Sequence, residues 1–244
     1  MELLDNDLRY VVTRLPKDIR ELLTEHPGKL FVGGGFIRAT IAGEEPSDID
    51  LFGHDAAVLE NIAAILKDRR EGARLHKSKN AITIITPNRM PVQFITRWTF
   101  DTADALVKSF DFTVCQAAVW RTGNKVNIEW RSSLGGWRSS LGERFYIDLA
   151  GRRLVYTNPV RDEEAGGSLL RVLKYVKRGY SIQVTSLGDV VARLAHKVRE
   201  SPMAYSEEGL GQVFAGLLRE VDPLTVVDGF DVVDEHEPEG PGDA

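Results

Sequence analysis

Two aspartates one residue apart, Asp48 and Asp50, follow three consecutive glycines, Gly33, Gly34 and Gly35, within the stretch KLFVGGGFIRATIAGEEPSDIDLFG at Lys29–Gly53. Side chains alternate faces along a β-strand, so Asp48 and Asp50 point one way while Ile49 and Leu51 point the other. Two carboxylates on one face repel each other unless a cation lies between them. Oxygen ligands of this kind suit Mg²⁺, which keeps coordination positions open for the phosphates of a nucleotide. A glycine-rich turn lets backbone N–H groups approach phosphate, with a helix N-terminus behind them. Each feature alone has a plain structural reading, because strand-end Asp-x-Asp pairs are commonly solvated and glycine runs are commonly loops. Taken in this order and separation they point to metal-dependent phosphoryl or nucleotidyl transfer.

The elements that must carry these residues are legible in the periodicity. Apolar Leu3, Leu4, Leu8, Val11, Val12 and Leu15 have helical spacing, and Pro16 opens a second short helix with Ile19, Leu22 and Leu23 inward. Residues 30–32 form a first strand, 36–42 a short helix behind the glycines, and 48–52 the aspartate strand. A helix at 56–70 places Leu59, Ile62, Ala63 and Leu66 on one stripe. Strands follow at 81–86, 92–96 and 113–120, with a helix at 102–107. The run 113–120 and the run 125–130, joined by Arg-Thr-Gly-Asn, read as a hairpin. The first part of the chain is therefore an α/β (α+β) head, a mixed sheet of about five strands flanked by helices. A tandem WRSSLGG, WRSSLGE at 130–143 is too short for a repeat fold and reads as a surface loop. Helical patterns at 169–178, 187–199 and 207–220 predict a small helical second part. The expected organisation is a head at 1–143, a helical domain at 144–226 and a disordered acidic tail at 227–244.

Composition bounds the class. The 244 residues are 43% hydrophobic and 27% charged, ordinary for a soluble globular chain. A single cysteine, Cys115, excludes an intramolecular disulfide framework and fits a reducing, cytoplasmic setting; it lies in the apolar run TVCQAAVW and reads as a core residue. No export signal and no membrane span is indicated. The net charge is −5, but residues 131–200 hold thirteen Lys and Arg against seven Asp and Glu, a local +6. After Val227 there are seven acidic residues and no Lys or Arg, in a Pro- and Gly-rich segment. An acidic chain with a basic middle suits a polyanionic ligand.

With these residues in view, the chain resembles the DNA polymerase beta-type nucleotidyltransferase superfamily, and within it the bacterial-type CCA-adding tRNA nucleotidyltransferases and poly(A) polymerases. Their head motif is a Gly-Gly pair, an Arg three residues on, and an Asp-x-Asp beginning ten residues beyond the Arg. Gly34, Gly35, Arg38 and Asp48-Ile49-Asp50 reproduce that spacing. The resemblance implies that Asp48 and Asp50 bind the catalytic Mg²⁺ ions of a two-ion site, with Gly34 and Gly35 near the triphosphate. The run FDFTVCQAAV at 110–119 is similar to the family's Arg-Arg-Asp-Phe-Thr motif, with Asp111 at the shared Asp. The run LLRVLKYVKRGYSI at 169–182 is similar to the helix after the head. There Arg171, Lys174 and Arg178 match in character, on one helical face over Leu170, Leu173 and Val176, and would close over the triphosphate; the plain alternative is a solvated basic face. Arg38 either contacts phosphate or braces the metal loop through a salt bridge.

The sequence departs from the pattern at several positions. Ala39 stands where the family has Asp, Ser109 and Phe110 replace the two arginines, and Gly167 and Ser168 replace acidic residues that read the incoming base. Superfamily members often carry a third carboxylate on a neighbouring strand; the strand MPVQFIT offers Gln93, leaving Asp111 as the substitute. The implied activity is Mg²⁺-dependent transfer of an NMP from an NTP such as ATP to an acceptor, foremost an RNA (tRNA-like) 3′ end. The alternatives are transfer to a protein, a small molecule or a second nucleotide, as in toxin or defence-type relatives, and an inactive nucleotide- or RNA-binding module. The sequence names neither the acceptor, the preferred NTP nor the oligomeric state.

Overall fold

The apolar spacing at the start of the chain becomes two helices, α1 (Asp5–Arg14) and α2 (Lys17–Glu25), whose Val11, Ile19, Leu22 and Leu23 are wholly enclosed. The computed structural model describes residues 1–123, 135–159, 165–199 and 209–213. It resolves into two units: Met1–Arg161 together with Tyr180–Leu187, and Asp162–Gly179 together with Gly188–Ala244.

In the first unit the elements after α2 run β1 (Leu30–Gly33), α3 (Gly35–Ala42), β2 (Ile49–Gly53), α4 (Ala56–Arg69), β3 (Arg74–Lys77), β4 (Ala81–Ile85), β5 (Val92–Ile95), α5 (Ala103–Ser109), β6 (Ala117–Arg121), β7 (Trp137–Leu141), α6 (Phe145–Ala150) and β8 (Arg153–Leu154). Seven strands make one sheet in the order β3-β4-β5-β2-β1-β6-β7. Only β2 and β5 pair in parallel; every other pair is antiparallel. The β3–β4–β5 meander returns the chain to the flank of β2 after α4 has crossed the sheet. A two-stranded parallel ribbon joins β8 to β9 (Ser181–Ile182).

Alternation on β2 assigns its two faces. A Cβ at Gly53 would lie 2.9 Å from the Lys29 carbonyl oxygen and 3.1 Å from Leu59 Cδ2, so α4 packs against the face that Gly53 shares with Ile49 and Leu51. Leu59, Ile62, Ala63 and Leu66 are each at most 1% exposed, as the stripe on α4 predicts. Enclosing each of the three larger side chains is worth about 1.5–3 kcal/mol. Asp55 caps this helix, accepting from Val58 N at 2.9 Å. Asp50 and Phe52 point to the opposite face, where Phe52 meets Phe110 edge-on with ring centroids 5.8 Å apart.

The mixed sheet thus has seven strands rather than about five. The two unexpected strands have different causes. β3, with sequence RLHK, is a largely exposed edge strand without an apolar alternation. β7 is the second WRSSLG copy, expected as a surface loop. Its buried serines are satisfied from both sides: Leu3 N–H donates to Ser139 Oγ at 2.9 Å, and Ser140 Oγ bonds the Asp104 carboxylate on α5. The pairing partner of β6 is therefore β7; the expected partner at 125–130, like most of the first WRSSLGG copy, lies outside the described residues. The expected strand at 113–120 begins only at Ala117, because Thr113–Cys115 is a 3₁₀ turn held by Thr113 Oγ1 donating to the buried Asp148 carboxylate at 2.7 Å. Arg144, at the N-cap of α6, fixes the same carboxylate with bonds of 2.9 and 3.0 Å, and Arg153 lies 3.4 Å away.

In the second unit, α7 (Ala165–Lys177) carries Arg171 and Lys174 one turn apart, and Arg178 follows in the turn that ends it. Leu173 and Val176, expected beneath this basic stripe, are instead exposed, while Val172 and Tyr175 are buried. Helix α8 (Val184–Arg199) begins in the first unit and continues in the second, where 209–213 is also helical. The acidic tail at 227–244 and most of the helix expected at 207–220 lie outside the described residues. No helix among the described residues is long and apolar enough to cross a membrane.

Candidate functional site

Strand register draws the chemistry-bearing residues together. Gly33 on β1 stands opposite Asp50 on β2, and Asp50 stands opposite Gln93 on β5. The same row continues to Thr83 on β4 and to Ala118 and Ser140 on β6 and β7. Residues paired in register share a face, so Asp50 has a glycine on one side and a carboxamide on the other, each about 5 Å away by ordinary strand spacing. Asp48 precedes β2 by one residue, is half-buried, and accepts a hydrogen bond from Ser47 Oγ at 3.1 Å. Asp50 is also half-buried, whereas the intervening Ile49 is enclosed. The two carboxylates therefore have the one-sided exposure that the alternation predicts.

The glycine turn lies against this pair. Gly34 adopts φ +70°, ψ −125°, a backbone conformation closed to residues with a Cβ, and starts α3 without a side-chain cap. Its N–H is taken by the Ala117 carbonyl at 3.0 Å. The first turn of α3 carries no acidic side chain; Phe36 and Ile37 are enclosed, and Gly35 is its half-buried residue, at the positive end of the helix dipole. Phe110, at the position of a family arginine, packs its ring on the turn: a Cβ on Gly33 or on Gly34 would each meet it at 3.0 Å. Gly35 has open space where a Cβ would be.

Arg38 is 1% exposed, beneath the site. Its Nη1 donates to Glu44 Oε2 at 2.5 Å and to the Tyr180 hydroxyl at 3.0 Å, and its guanidinium lies 5.5 Å from the Tyr180 ring centre. This guanidinium ties α3 to the turn before Asp48 and to β9. It braces the loop before Asp48 from within rather than facing solvent. Tyr180, with Glu44, is the partner that sequence reasoning missed; it lies 142 residues from Arg38 and no local pattern announces it. Burial pushes the Tyr180 phenol above its ordinary value, against the lowering effect of Arg38.

Asp111 is 2% exposed, between α5 and the 3₁₀ turn, with its carbonyl oxygen accepting from Thr157 N at 2.9 Å. Among the described residues no group of three or more His, Cys, Asp or Glu is gathered to hold a metal ion, so Asp111 does not join Asp48 and Asp50 in a three-carboxylate cluster. The donor set on the central strands β2 and β5 is two carboxylates with an amide alongside, offering hard oxygens, and its chemistry fits Mg²⁺. Arg171, Lys174 and Arg178 belong to the second unit.

The fold is that of the CCA-adding nucleotidyltransferases. It superposes on a Thermotoga maritima CCA-adding enzyme complexed with tRNA at a TM-score of 0.51 and 18% identity, over 88% of this chain and 51% of that one. For a CCA-adding enzyme with CTP the values are 0.52 and 19%, over 88% and 50%. For a tRNA-processing enzyme in its apo form they are 0.51 and 18%, over 91% and 61%. The chain thus spans about half to three-fifths of the length of these structures. No curated protein matches its sequence. The family model described as Gabija anti-defense 2 family protein matches residues 2–149, which include every head residue discussed above; the chain belongs to that family.

Proposed function

We propose that this chain is a Mg²⁺-dependent nucleotidyltransferase whose acceptor is a component of the Gabija defence named in its family's description. The observation that carries the reading is the register of β1, β2 and β5, which sets Asp50 beside the glycine turn and in line with Gln93. Asp48 and Asp50 would hold the cation, which when bound lowers the pKa of an attacking hydroxyl and neutralises the pyrophosphate leaving group.

The remaining work falls to the chain itself. An acceptor oxygen attacks the α-phosphorus of an NTP and the bond to pyrophosphate breaks. Such a reaction is accelerated chiefly by positioning and charge stabilisation. The absence of side chains at Gly33 and Gly34 lets the Phe110 ring pack on the turn beside Asp50, and the half-buried Gly35, with open space at its Cβ position, is where the first turn of α3 would offer its N–H to the triphosphate. Arg38, through Glu44 and Tyr180, holds α3 and the Asp48 loop in fixed relation. The positions where CCA-adding relatives carry base-reading acidic residues are Gly167 and Ser168, which argues against templated C-then-A addition. Arg171, Lys174 and Arg178 are the residues suited to the phosphates of a polyanionic ligand.

A second reading, transfer to an RNA 3′ end, draws on the basic stretch 131–200 and on the tRNA in one solved relative. One experiment separates the two. The purified chain is incubated with Mg²⁺ and each α-labelled NTP, once with lysate of cells carrying Gabija and once with total RNA. Label in a Gabija protein or in a nucleotide product supports the first reading, and label in RNA supports the second. No Mg²⁺-dependent transfer in either mixture sinks both.

A further inference from the structure

Gln93 carries more than a strand position. Its neighbours Val92 and Phe94 are completely enclosed and apolar, as a core strand requires on the opposite face. Gln93 itself is 7% exposed on the face of Asp50, directly across the parallel β2–β5 pairing. Its carboxamide forms no hydrogen bond with any described residue, nor are its polar atoms sealed from solvent. A carboxamide nine-tenths buried, with no partner among the described residues and with its polar atoms still open on the face of a carboxylate pair, is placed to meet a ligand there.

We propose that Gln93 Oε1 is a third, neutral oxygen donor for the divalent cation held by Asp48 and Asp50; the proposal rests on the metal-site reading above and specifies its donor set. A carboxamide oxygen is a hard ligand that Mg²⁺ and Mn²⁺ accept. It contributes no charge, so one divalent ion on this set is neutralised but not overcompensated. The cation is then held weakly by the protein alone and tightened by the triphosphate, whose oxygens fill the remaining positions. Thr83, the next residue in the row, is 2% exposed and brings no charge to the flank of Gln93.

The test uses Mn²⁺ alone as a paramagnetic probe on the full chain, comparing wild type with Gln93→Met, Gln93→Glu and Asp50→Asn, and calorimetry in EDTA to register folding. Gln93→Met keeps the volume and removes the donor; Mn²⁺ affinity should fall about tenfold. Gln93→Glu adds a charge at the ion and should tighten binding about tenfold. The melting transition in EDTA should stay unchanged in Gln93→Met; if that variant fails to fold, Gln93→Glu alone decides. Equal Mn²⁺ affinity in wild type, Gln93→Met and Gln93→Glu, with loss in Asp50→Asn, would overturn the role of Gln93 and leave the carboxylate site standing. Absence of Mn²⁺ binding by wild type, or binding unaltered in Asp50→Asn, would overturn both.

Discussion

Replacing Gly34 by alanine probes whether the turn beside Asp50 is shaped by its backbone or merely tolerates glycine. At φ +70° and ψ −125° an added Cβ is strained wherever it points, at a cost of about 1–3 kcal/mol. The same Cβ would lie 3.0 Å from Phe110 Cε1 and 3.3 Å from Cζ. The ring is itself wedged against Phe52, so moving it adds about 1–3 kcal/mol of overpacking. Gly34→Ala should therefore destabilise the first unit by about 2–6 kcal/mol. Gly35→Ala is the internal control: its Cβ meets nothing within 4 Å and it lies in the first turn of α3, so the change should be neutral or stabilising by up to ~1 kcal/mol. Urea unfolding followed by fluorescence of the four tryptophans measures both. Phe110→Leu in the Gly34→Ala background should return the packing share but not the backbone share. Equal unfolding midpoints for Gly34→Ala and Gly35→Ala would refute the reasoning.

Arg38→Leu removes the cation beside the Glu44 carboxylate in a site where the guanidinium is 1% and the carboxylate 15% exposed; it should cost about 3–5 kcal/mol, and adding Glu44→Leu should recover at least half, both read by urea unfolding. In alkali, Tyr146 and Tyr180 should titrate late by absorbance at 295 nm. Burial, and then the hydrogen bond its hydroxyl donates to Asp7, raises Tyr146, and burial raises Tyr180. Since folding favours the protonated phenol, this stabilisation is complete below pH ~10 and is lost as the pH climbs through the raised values. Tyr146→Phe and Tyr180→Phe should each remove one late step; a late phase unchanged by both substitutions would contradict the assigned environments.

The legible parts of the fold were those with local, periodic causes. The stripes on α1, α2 and α4 and the Gly-Gly, Arg, Asp-x-Asp spacing each live within one stretch of sequence. What escaped depends on partners far along the chain. Ser139 and Ser140 could be buried on β7 only because Leu3 and Asp104 satisfy them, and a reading of WRSSLGE by itself sees polar loop residues. The exposed edge strand β3 lacks the alternation that marks a half-buried strand, because neither of its faces is strongly covered. Arg38 was seen as a phosphate ligand or a brace; only its enclosure by Glu44 and Tyr180 distinguishes them, and Tyr180 comes from beyond α7. Gln93 was visible as a missing carboxylate, but its place in the row of Asp50 comes from β5 returning parallel to β2, a topology set by the intervening meander.

The most direct test of the central claim is Mg²⁺-dependent transfer of label from α-labelled NTP by wild type, Asp48→Asn and Asp50→Asn, with folding checked by each variant's unfolding midpoint. The half-buried, one-sided exposure of both carboxylates predicts folded variants whose turnover falls by at least about 10³-fold. Full transfer by a folded variant lacking both carboxylates would contradict the metal–nucleotide site itself.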